Sequence, residues 1–457
     1  MNYKKIIAKL VKEQNNNIDI EFIENIIEIP VRIEVADFAL PCFKIREYYN
    51  KSPDIIAEEL KNNIISNYFE KIESSGAYLN FFINKALFIK NTLEEIISSG
   101  DDYGYCNIGN GKCIFIQYSF KGCKSILNIR DAFNPIIANY LYKLHKKQGY
   151  EVVLVNDGNG FDLCKDKISN IESKLRKENL IIQCSGFKGI SLKEYNMPPF
   201  ILSNERVEVT NYAYNLLNII ARKSKYKFNK YIYIDSISKK TEYKQLFKVL
   251  EIMGYEWGKK CEYFRLGLVK FNNCVIEREE FKEKAEKAIK AINKKYVDLK
   301  CIDSEERRVI DYLIFIFTKN KKGKNVSIDF QEMFLLKKDS LEYIKEVYYK
   351  NKKVLKNNGY LYVKSNYYKV ASNKEYELVK ALKEYKNIIN SATETLETSI
   401  IIEYVLYIIK LLDMVYSEPN NYLEIDDINI IKERLMIIEA VCIIIRNSLN
   451  LLGIENI

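Results

Sequence analysis

Apolar residues recur at helical spacing in KKIIAKLVKE, near the start of the chain, and again in DIIAEELKNNII, where Ser52-Pro53 marks a helix start. GAYLNFFI alternates as a strand does and comes after a turn signal at Ser74-Ser75-Gly76. These patterns predict a small α+β domain over residues 1–85, joined to the next domain by a helix and the glycine-rich break YGYCNIGNGK. KCIFIQYSF then reads as a buried strand, NPIIANYLYKLHKKQG as an amphipathic helix stopped by Gly149, and YEVVLVNDGNG as a second apolar strand ending in a glycine turn. Strand, helix and strand within roughly forty residues make a βαβ unit, which implies a parallel sheet. KYIYIDSIS and the helix YKQLFKVLEIMG extend it into a doubly wound α/β domain.

Beyond residue 280 the strand signals end. Segments such as EEFKEKAEKAIKAINKKY, SEERRVIDYLIFIFTK and NIIKERLMIIEAVCIIIRNSLNLLG carry helical periods, which predicts an all-α C-terminal domain. No fixed-period repeat is visible. The expected fold class is multidomain, α/β plus all-α. An N-terminal α+β domain with its linker spans 1–110, a Rossmann-like domain 111–280, and a helical bundle 281–457.

Composition changes this picture in three ways. Of 457 residues, 47% are hydrophobic, so the chain has material for several cores; Gly (17) and Pro (7) are scarce, which favours long helices. Ile, Lys, Asn and Tyr are abundant throughout, as an AT-rich genome would write, so counts of Lys or Tyr argue little by themselves. The net charge of +10 still attracts polyanions. Ten cysteines show no C-x-x-C spacing, and His145 is the single histidine, so no Cys/His metal site is expected. MNYKKIIAKLVKEQ lacks the apolar core of a signal peptide, and no uncharged apolar run reaches a membrane-spanning length of about 18 residues. A cytoplasmic protein with free thiols and no membrane partner is expected.

ADFALPCFKIRE, PDIIAEELKNNI and FEKIESSGAYLNFFINK, nearly continuous from Asp37 to Asn84, resemble the N-terminal domain of arginyl-tRNA synthetases. FNKYIYIDSISKKTEYKQLFKVLEIMGYEW resembles a strand and helix of that family's catalytic domain, and RLMIIEAVCIIIRNSLNLLGIENI its last helix and terminal segment. Three blocks in the right order over most of the chain imply a tRNA-elbow-binding-like domain, a class I synthetase domain and an anticodon-binding-like (DALR-type) bundle.

The resemblance breaks where the family's chemistry resides. Enzymes of this class activate an amino acid with ATP, and their HIGH and KMSK motifs stabilise the charge that develops on the phosphates. Counted without gaps from Tyr118, the HIGH position falls on Asn128-Ile129-Arg130-Asp131; Asn139, Leu141, Leu144, Gly149, Tyr150 and Val152 then fit the family's helix pattern. Arg130 would crowd the adenine pocket and Asp131 would repel phosphate. One histidine cannot make a two-histidine motif in any register. His145 itself is read as a solvated residue on the Lys143–Lys147 face. The KMSK loop should come after residues 267–269, where Lys270 to Arg278 show no such motif; Lys270 and Arg278 are read as surface charges. The family's Y-x-T-R-D run aligns with Asn211-Tyr212-Ala213-Tyr214-Asn215, its ATP-side Gln and His with Lys239 and Glu242, and the stretch from Asp157 to Pro198 is shorter than in the family. No catalytic residue is therefore assigned.

Binding surfaces are still legible. Tyr78, Asn80 and Phe82 share one strand face and can stack on and hydrogen-bond unpaired bases; the other reading makes Tyr78 and Phe82 core. Residues 343–369 interleave tyrosines (Tyr343, Tyr348, Tyr349, Tyr360, Tyr362, Tyr367, Tyr368) with lysines that include Lys350, Lys352 and Lys353. The expectation is a synthetase-like protein without aminoacylation activity that binds tRNA or a tRNA-like RNA in a regulatory or accessory role, with no cofactor, no DNA partner and room for another protein partner. Two alternatives stand beside it: an active or chemically rebuilt arginine–tRNA ligase, which needs ATP, and a protein-interaction scaffold.

Overall fold

The structure, a computed structural model, describes residues 2–30, 36–124, 131–157, 181–184, 186–204, 210–236, 239–271, 279–296, 303–329, 332–358, 372–417, 423 and 427–455. Its N-terminal elements are helices α1 (Tyr3–Gln14) and α2 (Ile20–Ile26), strand β1 (Phe38–Pro41), helices α3 (Arg46–Tyr49) and α4 (Pro53–Asn63), strands β2 (Phe69–Ser75) and β3 (Tyr78–Ile83), and helix α5 (Lys85–Ser99). The α/β elements come next: β4 (Cys113–Tyr118), α6 (Phe133–Lys147), β5 (Glu151–Asn156), β6 (Ile181–Cys184), β7 (Phe187–Ile190), β8 (Phe200–Asn204), α7 (Asn211–Tyr226), β9 (Lys230–Ser236), α8 (Lys240–Ile252), β10 (Cys261–Leu266) and β11 (Val269–Phe271). Among the described residues of the remainder, one short strand stands among helices: α9 (Glu279–Tyr296), α10 (Ser304–Lys319), β12 (Val326–Ile328), α11 (Leu341–Asn357), α12 (Asn373–Lys383), α13 (Tyr385–Thr395), α14 (Ser399–Tyr416) and α15 (Ile428–Leu452).

Packing divides the chain into two compact units. One comprises Met1–Ser98, Leu361–Lys380 and Met414–Ile437; the other comprises Ser99–Tyr360, Ala381–Asp413 and Ile438–Ile457. Two stretches of the C-terminal helices thus group with the N-terminal segment, a division that cuts across the three consecutive segments read from the sequence.

In the first unit, β3 is the middle strand of an antiparallel sheet, between β1 and β2. Leu79, Phe81 and Ile83 alternate onto one face and are buried, with the Phe69 and Phe81 rings 5.0 Å apart. Burying a side chain such as Phe81 contributes about 1.5–3 kcal/mol. α4 packs on β2 and β3 through Ile56, Ala57 and Leu60. Pro53 at its first turn loses nothing, because that N–H has no helical partner. From the later segments, Tyr376 meets Phe88 edge-on at 5.5 Å, and Arg434 Nε pairs with Glu375 at 3.0 Å.

The second unit is built on a parallel sheet of order β10-β9-β4-β5. β4 comes first in the chain, α6 crosses to β5 on one side, and β9 returns on the other. The winding therefore reverses between β4 and β9, and in such sheets the crevice at the carboxyl ends of those strands is where ligands bind. Gly149 ends α6 as the sequence predicts, at φ +76°, where an L side chain would be strained. Phe115, Ile219, Phe228, Tyr231, Leu246 and Val249 form the core between sheet and helices.

Two features differ from the sequence reading. β6, β7 and β8 form a small antiparallel sheet that no strand signal marked. β12 falls in the stretch expected to be all helical and pairs in parallel with β11. Each of these strands is three to five residues long, too short for an alternating period to stand out. α15 is long and apolar enough to cross a membrane, but 78% of its apolar window is buried inside the fold, as in a core helix.

Candidate functional site

Three polar side chains converge at the carboxyl ends of β4 and β5. Arg222 from α7 pairs through Nη2 with Asp157 Oδ1 at 2.9 Å, and Gln117 Nε2 donates to Asp157 Oδ2 at 2.7 Å. Gln117 Oε1 accepts from both Arg222 Nη1 and the Tyr231 hydroxyl. The guanidinium lies over the Phe115 ring, 5.6 Å from its centre. The Arg222 and Asp157 side chains are 5% and 15% exposed, so this is an ion pair sealed from water with its hydrogen bonds made. Burial raises the Tyr231 phenol well above its ordinary value. A group so completely bonded holds the crevice in shape rather than reacting.

The end of β9 supplies the opposite wall. Asp235 Oδ2 accepts from Lys239 Nζ at 2.9 Å and from the Tyr233 hydroxyl at 3.4 Å. Tyr243 stacks between Tyr233 at 4.0 Å and Tyr263 at 5.1 Å, and burial pushes all three phenols up. At the first turn of α7, Tyr212 hydrogen-bonds Glu242; burial first, then that carboxylate, raises its phenol. Lys239 and Glu242 stand where the resemblance expects Gln and His. Asp235, Tyr233 and Tyr243 are buried here, and the Lys239 ammonium is the exposed partner of that carboxylate.

Asn128, Ile129 and Arg130 lie outside the described residues, as do residues 272–278. Asp131 is half-buried, and burial, then the Asp131 charge, pushes the Cys123 thiol up to about 12. Lys270 is exposed on β11. His145 is not the solvated residue expected. It is 1% exposed, its Nδ1 lies 2.7 Å from the Leu141 carbonyl, and its ring meets Tyr150 edge-on at 5.5 Å. Burial lowers its pKa to about 4, so it is neutral at pH 7. Its neighbours Lys143, Lys146 and Lys147 masked the register: His145 sits one turn from Leu141 and one residue from Leu144, on the inward stripe.

On the N-terminal sheet, Tyr78, Asn80 and Phe82 share the face opposite the Leu79–Phe81 core. Tyr78 and Phe82 are partly exposed, while Asn80 is 7% exposed and, among the described residues, its amide has no hydrogen-bond partner. Lys71, across from Phe82 on β2, holds its ammonium 5.5 Å from the Phe82 ring centre. The exposed Phe43 meets Tyr78 edge-on at 5.7 Å. Sequence reasoning named neither Lys71 nor Phe43, since cross-strand register and loop packing leave no local signal.

On α11 the tyrosines and lysines separate. Tyr343 donates to Asp413 Oδ2 at 2.7 Å, and burial with that carboxylate pushes its phenol up to about 12. Tyr348 is 5% exposed and packs inward. Lys352 pairs with Glu439 at 3.5 Å. Lys350 and Lys353 are exposed, Lys350 beside Glu346 at 2.5 Å, and the exposed Tyr349 and Lys356 share their side of the helix. Tyr360, Tyr362, Tyr367 and Tyr368 lie outside the described residues.

Three family models match the chain in order: the arginyl tRNA synthetase N terminal domain at residues 1–83, the class I (R) tRNA synthetase catalytic domain at 124–275, and the DALR anticodon binding domain at 344–457. The chain belongs to the arginyl-tRNA synthetase family. It is 28% identical to the arginine–tRNA ligase of Clostridium botulinum (strain Alaska E43 / Type E3), over all of this chain and 99% of that protein. It is likewise 28% identical to that of Clostridium kluyveri, with the same coverage. The first alignment runs over 560 positions, about a hundred more than the chain has residues, so this family member is short for its kind. Its fold is that of the arginyl-tRNA synthetases of Thermus thermophilus (TM-score 0.64, 13% identity, 99% of this chain and 98% of that one) and Plasmodium falciparum (0.65, 13%, 100% and 98%).

The synthetase family uses ATP, and the catalytic match contains Asp157, Arg222 and Asp235 and the positions 128–131 that the resemblance aligns with HIGH. Its N-terminal match contains Tyr78, Asn80 and Phe82, and its DALR match, an anticodon-binding domain, begins within α11 ahead of Lys350, Lys352 and Lys353.

Proposed function

We propose that this member of the arginyl-tRNA synthetase family binds tRNA, or an RNA shaped like it, without aminoacylating it, and serves in the cytoplasm in a regulatory or accessory role. The observation that carries this reading is the fate of the one histidine. Phosphate chemistry at a HIGH motif needs imidazole donors facing ATP, and here the sole imidazole is a neutral core group bonded to its own helix. Asp131 supports the same reading, because a half-buried carboxylate at the motif's last position opposes phosphate by like charge. The RNA half of the proposal rests on the Lys71–Phe82–Tyr78 face and on the exposed Tyr349, Lys350 and Lys353 side of α11.

ATP–pyrophosphate exchange in the presence of arginine and tRNA tests the catalytic half. The expected result is no exchange above a protein-free control, and exchange at a rate typical of synthetases would sink the proposal. The second reading, a rebuilt ligase that needs ATP, is favoured by one observation, the intact Gln117–Asp157–Arg222 frame of the crevice. Exchange that disappears on Lys239→Ala would move the assignment to it.

A further inference from the structure

We infer that Lys143, Lys295 and Arg307 form a phosphate-binding site that the chain's own Glu455 carboxylate occupies as an internal stand-in. Lys143 on α6 reaches the tail beyond α15, contacting Glu455 Oε1 and donating to the Asn450 carbonyl at 3.2 Å. Lys295 in the last turn of α9 and Arg307 in the first turn of α10 share that electrostatic neighbourhood: both act on Glu455 and on Asp311. Asp311 is already committed to Lys345, at 2.9 Å with both side chains largely buried. Lys143 contacts the Glu455 carboxylate directly, and Lys295 and Arg307 add their charge to the same neighbourhood. Among the described residues, neither Lys295 nor Arg307 has a carboxylate within ion-pair distance. Burial lowers the Lys295 ammonium, with Asp311 and Glu455 opposing that shift.

A second, independent observation points to a missing acceptor. The Tyr296 hydroxyl is out of solvent and has no hydrogen-bond partner among the described residues, and its electrostatic neighbours are Tyr118, Asp311 and Glu455. A buried hydroxyl left unbonded is costly, and a carboxylate already held by Lys143 does not meet that need. A phosphate group brings three acceptor oxygens and about 1.5–2 negative charges, which suits several cationic donors and a phenol better than one carboxylate does. Glu455 is also easy to displace, since its side chain is 55% exposed and exposed ion pairs are weak.

The phosphate can come from a free polyphosphate or from the backbone of bound RNA, and inorganic pyrophosphate serves as probe for the shared chemistry. Calorimetry on the full chain compares wild type, Glu455→Gln, and Glu455→Gln combined with Arg307→Ala or, as a second variant, with Lys295→Gln; thermal melting checks that each is folded. Removing the competing carboxylate should tighten pyrophosphate binding roughly tenfold, and either second substitution should reverse the gain. Displacement of the bound pyrophosphate by saturating tRNA assigns the site to an RNA phosphate, and its retention assigns it to a free one. Equal affinity in wild type and Glu455→Gln, or a gain that survives both second substitutions, overturns the inference.

Discussion

His145 gives the sharpest test of the structural reading. Its imidazole titrates at 6.5 in an unfolded chain and at about 4 when folded, because burial disfavours the charged ring. The folded value is the lower one, so between these limits the unfolded chain binds the proton and the folded chain does not. Stability from this group is therefore fully present above pH 6.5 and is lost as pH falls toward 4, by about 3 kcal/mol in all. Because the chain has one histidine, labelling that residue type yields a single resonance with no assignment problem. An NMR titration should show it flat from pH 8 to 5.5, with a midpoint near 4 or unfolding first. His145→Gln, which is uncharged, should lose less stability than wild type over the same range. A midpoint near 6.5 in the folded protein would place the ring in water and remove the main support for the proposed loss of chemistry.

Arg222→Ala should destabilise the second unit by about 3–5 kcal/mol, since it leaves Asp157 buried without its partner; urea unfolding monitored by far-UV signal checks this, and a loss under 1 kcal/mol would show the pair to be unimportant. Lys350→Ala with Lys353→Ala should flatten the dependence of log tRNA affinity on log salt by roughly 0.7–0.9 for each phosphate no longer neutralised, and should weaken all RNAs alike; an unchanged slope removes α11 from the interface. Asn80→Ala with Phe82→Ala should lower affinity for folded tRNA more than for unstructured RNA of equal length in filter binding. Equal reductions would make that face generic charge.

The sequence displayed long periodic elements well and short ones poorly. α6, α10, α11 and α15 span several turns, so their apolar stripes stand out, and Ser52-Pro53 and Gly149 mark helix ends by chemistry that acts within a residue or two. β11 and β12 have three residues each and offer no period to read. The same divide holds at the candidate sites. That Tyr78, Asn80 and Phe82 share a face comes from strand alternation, but Lys71 above Phe82 depends on pairing with β2. Tyr343 and Tyr348 looked like stacking groups because composition says nothing of which side of α11 faces in; Tyr349 emerges as the exposed ring. Arg222, a charge on the inward stripe of an amphipathic helix, was the one unread local clue to the buried network with Gln117 and Asp157.

The bonded frame of the crevice and the positions that the resemblance aligns with HIGH obey different physical constraints. Gln117, Asp157 and Arg222 bond one another out of water, and removing any one strands a buried charge or amide, so a chain that keeps this fold is held to them energetically. A histidine that touches only a bound nucleotide carries no such penalty, since its loss leaves no protein group unpaired. On the non-aminoacylating reading, the fold can therefore match synthetases over its whole length while the positions that meet ATP drift to Asn128, Ile129, Arg130 and Asp131. The proposed RNA contacts are insulated from that drift. The Tyr78–Phe82 face hangs on a strand whose other side is the core of the first unit, and Lys350 and Lys353 hang on α11, whose inner side holds Tyr348 and Leu355 in place. Stability selection on those cores keeps the proposed RNA-facing groups positioned with no help from the catalytic motifs.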